Sequence, residues 1–155
     1  MTDDGRRLAH GRVLALDVGK KRIGLAISDE LGITAQGLDT LERTRIRDDL
    51  EKLKQIAAAR GVRTLLVGRP LHMSGAESRQ GLYTREFADR LSGHLGLPVV
   101  HWDERLTSVE AERALREAGA TLEERKKAVD RMAAVLLLQS YLAHGQVNDE
   151  SEPEA

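Results

Sequence analysis

The stretch RVLALDVGKKRIGLAISD, Arg12 to Asp29, decides the fold. Val13 to Leu16 is an unbroken apolar run closing on Asp17, the pattern of a strand buried on both faces. Beyond Gly19-Lys20-Lys21, the bulky Ile23, Leu25 and Ile27 alternate with the small Gly24, Ala26 and Ser28. Successive strand residues point to opposite faces, so this second strand has one bulky face and one small face on which a helix can pack closely. The link between the two runs is of hairpin length, which predicts antiparallel pairing.

Working outward, a third strand is expected near Ile33 to Thr40, after the turn at Gly32. Ile46, Leu50, Leu53, Ile56 and Ala57 form the apolar stripe of an amphipathic helix that Gly61 closes. Thr64 to Val67 reads as a buried strand ending at Gly68-Arg69-Pro70, and a second helix is expected from about Ala76 to Leu95, stopped by Gly96 and Pro98. Val99 to Trp102 gives a fifth strand that ends at Asp103-Glu104. Thr107 or Ser108 can cap a helix running to Ala118, with Gly119 as its stop, and the last helix is expected from about Thr121 to Ala143. The order β-β-β-α-β-α-β-α-α is an α/β arrangement: a ribonuclease H-like, mixed five-stranded sheet flanked by helices. It occupies one domain, 12–143; residues 144–155, ending in the acidic VNDESEPEA, are expected to be a disordered tail.

Composition limits the chemistry. The chain of 155 residues has no cysteine, which excludes disulfides, thiolate metal sites and a cysteine nucleophile, and fits a reducing cytoplasm. The polar opening MTDDGRRLAHGR lacks a signal-peptide core, and no stretch reaches the roughly 18 apolar residues of a membrane span, so a cytoplasmic protein with no membrane partner is expected. Lys and Arg number 24 against 25 Asp and Glu, so any contact with a polyanion must come from a local patch. With four Phe, Trp and Tyr residues in all, recognition by base stacking is disfavoured, and recognition of backbone and shape in a structured nucleic acid is the better expectation.

Three acids stand out by position. Asp17 closes an apolar strand, where an ionised carboxylate is costly unless paired or bound to metal. Ligands of open α/β sheets bind outside the carboxyl ends of parallel strands, where both Asp17 and the Asp103-Glu104 pair fall. Strand alternation lets only one of that pair point into a shared site; Glu104 is favoured, with Asp103 as its possible substitute. Asp130 shares a helical stripe with Ala133, Ala134 and Leu137, facing inward. Three carboxylates without a thiolate or a helical histidine pair favour Mg²⁺ or Mn²⁺, and two such ions can drive phosphodiester hydrolysis. Each acid also has a plain structural reading: a turn cap at Asp17, an ion pair of Glu104 with Arg105, and one of Asp130 with Lys126 or Lys127.

Gly19, Lys20, Arg22, Arg69, Arg105 and Lys126 are the candidate nucleic-acid contacts, most of them close to a strand end that carries an acid. They could equally serve only to neutralise those acids. His72 and His101 lie near the proposed site but read better as structural or exposed residues; Leu71 to Arg79 is expected to flank the cleft. Trp102, placed by alternation away from the site, is assigned to the core.

The motifs ALDVGKKRIGLAISD (Ala15 to Asp29), VGRPLHMSG (Val67 to Gly75), DERLTSVEAE (Asp103 to Glu112) and KKAVDRMAAVLLLQSYL (Lys126 to Leu142) occur in an order that resembles the YqgF/RuvX family. That family is described both as Holliday-junction resolvases and as nucleases maturing the 5′ end of pre-16S ribosomal RNA. The resemblance spans nearly all of 12–143 and implies a metal-dependent nuclease, with the family's acids falling on Asp17, Glu104 and Asp130. Ser74 stands where many members resemble one another in carrying an acid, so no fourth carboxylate is expected from that loop. Precursor ribosomal RNA is the favoured partner, with ribosomal particles beside it; branched DNA is the alternative, disfavoured because no two-fold dimer seam is evident. Two other classes compete: an actin-like kinase, suggested by Asp17-Val18-Gly19-Lys20 but needing a second domain and phosphate loop, and a non-catalytic RNA-binding module.

Overall fold

The computed structural model describes residues 11–69, 78–104 and 113–151, and the side chains of the last segment outside 126–131 and 145–151. Five strands form one sheet: β1 (Arg12–Val18), β2 (Arg22–Ser28), β3 (Ala35–Glu42), β4 (Val62–Arg69) and β5 (Val99–Asp103). The helices are α1 (Ile46–Arg60), α2 (Arg79–Leu95) and α3 (Leu122–Ser151). Residues 113–117 are also helical. The strand order is β3-β2-β1-β4-β5, antiparallel across the first two pairings and parallel across the last two. This is the expected ribonuclease H-like mixed sheet, and it makes β1 central.

The two faces of the sheet bury different side chains. Leu14, Leu16, Ile23, Leu25, Ile27, Leu65 and Val67 pack with Leu50 and Leu53 of α1 and with Phe87, Ala88 and Leu91 of α2. Val13, Ala15, Ala26 and Leu66 pack with Ala134, Leu137, Leu138 and Leu142 of α3. The alternation in β2 is therefore realised as expected: its small side lies under α3. Burying each large aliphatic side chain stabilises the fold by roughly 1.5–3 kcal/mol.

Several boundaries move, each for a local reason. β3 begins at Ala35 rather than Ile33 because the preceding backbone is used in a turn. Asp29 Oδ1 accepts from the N–H groups of Ile33 at 2.7 Å and Thr34 at 3.0 Å. Those bonds, the one from Thr34 foremost, hold the Asp29 carboxyl below its usual range. α2 begins at Arg79 rather than near Ala76, since the Ser78 hydroxyl caps it by accepting from Gly81 N–H at 3.0 Å. Gly61 and Gly96 stop α1 and α2 with φ of 68° and 70°. Ala76, Thr107 and Ser108 lie outside the described residues.

α3 opens on a reciprocal cap: Glu124 N–H donates to Thr121 Oγ1 at 3.2 Å and Thr121 N–H to Glu124 Oε1 at 2.9 Å. The helix continues to Ser151, past the expected end at Ala143, so the segment expected as a tail from 144 is helical as far as 151. The sequence has no proline after Pro98 until Pro153, and His144 Nδ1 bonds the Ser140 carbonyl at 2.9 Å, so nothing breaks the ladder earlier. Among the described residues no helix is long and apolar enough to cross a membrane.

Candidate functional site

The site is built where β1, β4 and β5 end. Asp17 stands on the α3 face of β1, two residues beyond the buried Ala15. Leu16 pairs with Val67 in the parallel register, so the next position on β4 beside Asp17 is Gly68. On the other side of β4, Gly68 pairs with Trp102 and Arg69 with Asp103. Glu104 follows at the end of β5, and its side chain lies across Gly68 to hydrogen-bond with the Asp17 carboxyl.

Two carboxyl groups this close cannot both ionise freely. Glu104 is pushed up to about 7 from an ordinary value of 4.5, first by burial, then by the charge and hydrogen bond of Asp17 and by the charge of Asp103. Among the described residues no group of three or more histidine, aspartate or glutamate side chains forms a metal-holding cluster. The side chain of Asp130, the third expected acid, lies outside the described residues. Its helix position is one turn before Ala134, whose Cβ comes within 3.8 Å of a Cβ built on Gly24, the residue that pairs with Asp17.

The cations are arranged less uniformly than expected. Lys20, Lys21 and Arg22 are exposed on the β1–β2 turn next to Asp17. Arg69 ends β4 at the same edge, yet strand parity groups it with Leu65 and Val67 on the opposite face from Asp17. Its Nε is buried with no hydrogen-bond partner among the described residues. Arg105, His72 and Ser74 lie outside the described residues, as does the Lys126 side chain. His101 alternates away from Trp102 and so from the α3 face. Trp102 packs in the core, as expected, but on the α3 face that carries Asp17 rather than away from the site, because it lies two residues before Glu104 and so shares its strand parity; its Nε1 donates to Ser140 Oγ at 3.0 Å.

The sequence reading missed two features. The strand pattern marks Gly68 only as the end of β4, although a glycine closing an apolar strand can signal that another group lies over its backbone. The other is a buried clamp beneath the basic turn. Arg43 Nε pairs with the fully buried Asp49 at 3.2 Å, and its Nη1 donates to Gly19 O at 3.0 Å and to the Tyr83 hydroxyl. The guanidinium also lies 4.8 Å from the Phe87 ring centroid. Arg43 N–H reaches Lys21 O at 2.9 Å and Gln80 Nε2 reaches Val18 O at 3.3 Å, so the turn carrying the lysines is held from below. Neither Arg43 nor Asp49 sits in a motif that points to this contact.

The sequence profile of the RuvX family, described as Holliday junction resolvase, matches residues 11–144. A protein of Koribacter versatilis (strain Ellin345) named "Putative pre-16S rRNA nuclease" is 51% identical over 93% of this chain and 94% of its own length. One of the same name from Symbiobacterium thermophilum is 48% identical over 84% of this chain and 91% of its own. Among solved structures, the chain is similar to T. thermophilus RuvC in complex with a Holliday junction substrate. The TM-score is 0.57 and the identity 14%, covering 92% of this chain and 97% of the other, a likeness of fold. With a profile match across nearly the whole described fold and relatives near half identity, the chain belongs to the RuvX family.

Proposed function

We propose that this protein is a metal-dependent endonuclease that hydrolyses phosphodiester bonds near the 5′ end of precursor 16S ribosomal RNA. The observation that carries the reading is the contact of Asp17 and Glu104 at the carboxyl ends of parallel strands, against the cost of setting two half-buried acids side by side. An all-oxygen donor pair with a raised affinity for positive charge suits Mg²⁺ or Mn²⁺, with Asp17, Glu104 and Asp130 as the holding residues. When bound, such ions activate a water and stabilise the leaving oxygen. Asp17 and Glu104 would hold such ions as ionised carboxylates at the end of β1, and the ions would supply the positive charge that a phosphate needs there. Lys20, Lys21 and Arg22 bind flanking phosphates from the turn that Arg43 holds in place, and Arg105 and Lys126 extend that surface, whereas Arg69 lies on the opposite face.

The names of the relatives favour ribosomal RNA, whereas the description of the family profile favours branched DNA. The test is to incubate the protein with labelled precursor RNA spanning the 5′ end of the small-subunit RNA, and with a four-way DNA junction, in Mg²⁺, Mn²⁺ or EDTA, beside Asp17→Asn. Metal-dependent cutting of the RNA alone, lost in Asp17→Asn, supports the proposal. Symmetric nicks in the junction alone transfer it to a resolvase, and binding without cutting of either transfers it to a non-catalytic module.

A further inference from the structure

We infer that Gly68 is a positioning residue: the missing side chain on β4 is the seat that lets the Glu104 carboxyl cross the strand and meet Asp17. This deepens the metal-site reading above and rests on it. A Cβ built on Gly68 would lie 2.7 Å from Glu104 Oε2, 2.8 Å from its Cγ and 3.2 Å from its Cδ. All three nearest atoms belong to that one side chain, and two lie closer than a real Cβ tolerates.

Conformation does not explain the glycine. Gly68 is absent from the glycines of positive φ, lies in a regular stretch of β4 and pairs with Trp102 in register. An alanine fits such a backbone, and a strand-interior glycine costs roughly 0.5–1 kcal/mol relative to it. What the glycine provides is space, and Glu104 fills it.

The consequence is specific. A methyl group at position 68 meets the flexible part of Glu104, so the fold can survive by swinging the carboxylate away from Asp17. The site then loses one of its converging oxygens while the basic turn on the other side of β1 is untouched.

The experiment compares wild type, Gly68→Ala, Glu104→Ala and the double variant. Each is measured for Mn²⁺ affinity by calorimetry, for thermal unfolding in EDTA, and for binding of the precursor RNA in EDTA. Gly68→Ala is expected to weaken Mn²⁺ binding by roughly 10–100-fold, the usual cost of disturbing a ligand's support, with RNA binding unchanged. In the Glu104→Ala background the same change is expected to have no further effect on Mn²⁺ binding, because the atoms it would strike are gone. Should Gly68→Ala fail to fold while the double variant folds, the seat is equally established. Equal losses in both backgrounds, wild-type Mn²⁺ affinity in Gly68→Ala, or a double variant that also fails to fold would overturn the inference. Unchanged Mn²⁺ affinity in Glu104→Ala marks the separate failure of the metal site itself and removes the inference with it.

Discussion

On the α1 and α2 side of the sheet, β1 and β2 present Leu14, Leu16, Ile23, Leu25 and Ile27. On the α3 side the same strands present Ala15, Asp17, Gly24 and Ala26, and β4 ends there in Gly68. The first face is filled by large aliphatic side chains that have no chemistry to perform. The second carries small residues at Ala15, Gly24, Ala26 and Gly68, where α3 lies close and the strand ends have room for charged groups, while Val13, Leu66 and Trp102 fill the rest of it. Core packing and the proposed site thus fall on alternate residues of the same strands, and a change of one position along β1 passes from one to the other.

The largest effect expected of any single substitution on the large face is at Asp49, which is fully buried and supports the Arg43 clamp. Removing it in Asp49→Ala leaves a guanidinium with 8% side-chain exposure unpaired. Urea unfolding should show a loss of about 3–5 kcal/mol. A loss below about 1 kcal/mol, the range of a surface pair, would mean that Arg43 is held by its other contacts.

Neighbours on β1 divide the comparison most sharply. Leu16 is fully buried on the large face, and Leu16→Ala should cost about 2–5 kcal/mol of unfolding free energy while leaving cleavage at low temperature near wild type. Asp17→Asn should do the reverse. Cleavage of the precursor RNA falls by roughly 10²–10³-fold, the several kcal/mol a metal ligand supplies to the transition state, with the melting temperature in EDTA maintained or raised. If both substitutions damage both properties alike, the two faces do not divide the work.

Glu104 should reveal the cost of the site directly. Between about 4.5 and about 7 the folded protein keeps a proton on Glu104 that the unfolded chain releases. Folding stability in EDTA therefore declines as pH rises through that window and levels off above it. Glu104→Gln removes this decline and should make the metal-free protein more stable than wild type at pH 8 by about 1–3 kcal/mol. Parallel stability profiles for the two proteins from pH 4 to 8 would show that the carboxyl pair carries no such strain.

How much of this was legible in the sequence depends on the range of the interaction. The hairpin of β1 and β2, the stripe of α1 and the small side of β2 follow from residues a few positions apart, and all were readable. Asp17 and Glu104 were readable as candidates because a carboxylate ending an apolar strand conflicts with its surroundings. That they share one site was also readable, from the carboxyl ends of their strands; that Glu104 reaches Asp17 directly across Gly68 was not, since it depends on β4 lying between β1 and β5. The start of β3 was missed because the Asp29 side chain competes for backbone N–H groups that a strand pattern assigns to the ladder. Arg43 and Asp49 were missed because a buried ion pair and an exposed one are written with the same letters.

The smallest effect tests the spacing of the helices. Ala134 on α3 and Ala88 on α2 are both buried, with 4% and 0% exposure, one against each face. Valine at either position overpacks a core and should cost about 1–2 kcal/mol in urea unfolding. The consequences for cleavage should differ. Ala134 is next to Gly24 and one helical turn from Asp130, so Ala134→Val lifts α3 at the end that carries the proposed third acid. Displacing reacting groups by a fraction of an ångström is costly, and cleavage should fall about tenfold. Ala88→Val moves α2, which borders the large face, and should change cleavage less than about twofold once both proteins are measured well below their melting temperatures. Equal activity in the two variants would place the third acid on an element other than α3, because a site that includes Asp130 cannot be indifferent to how closely that helix approaches β1 and β2.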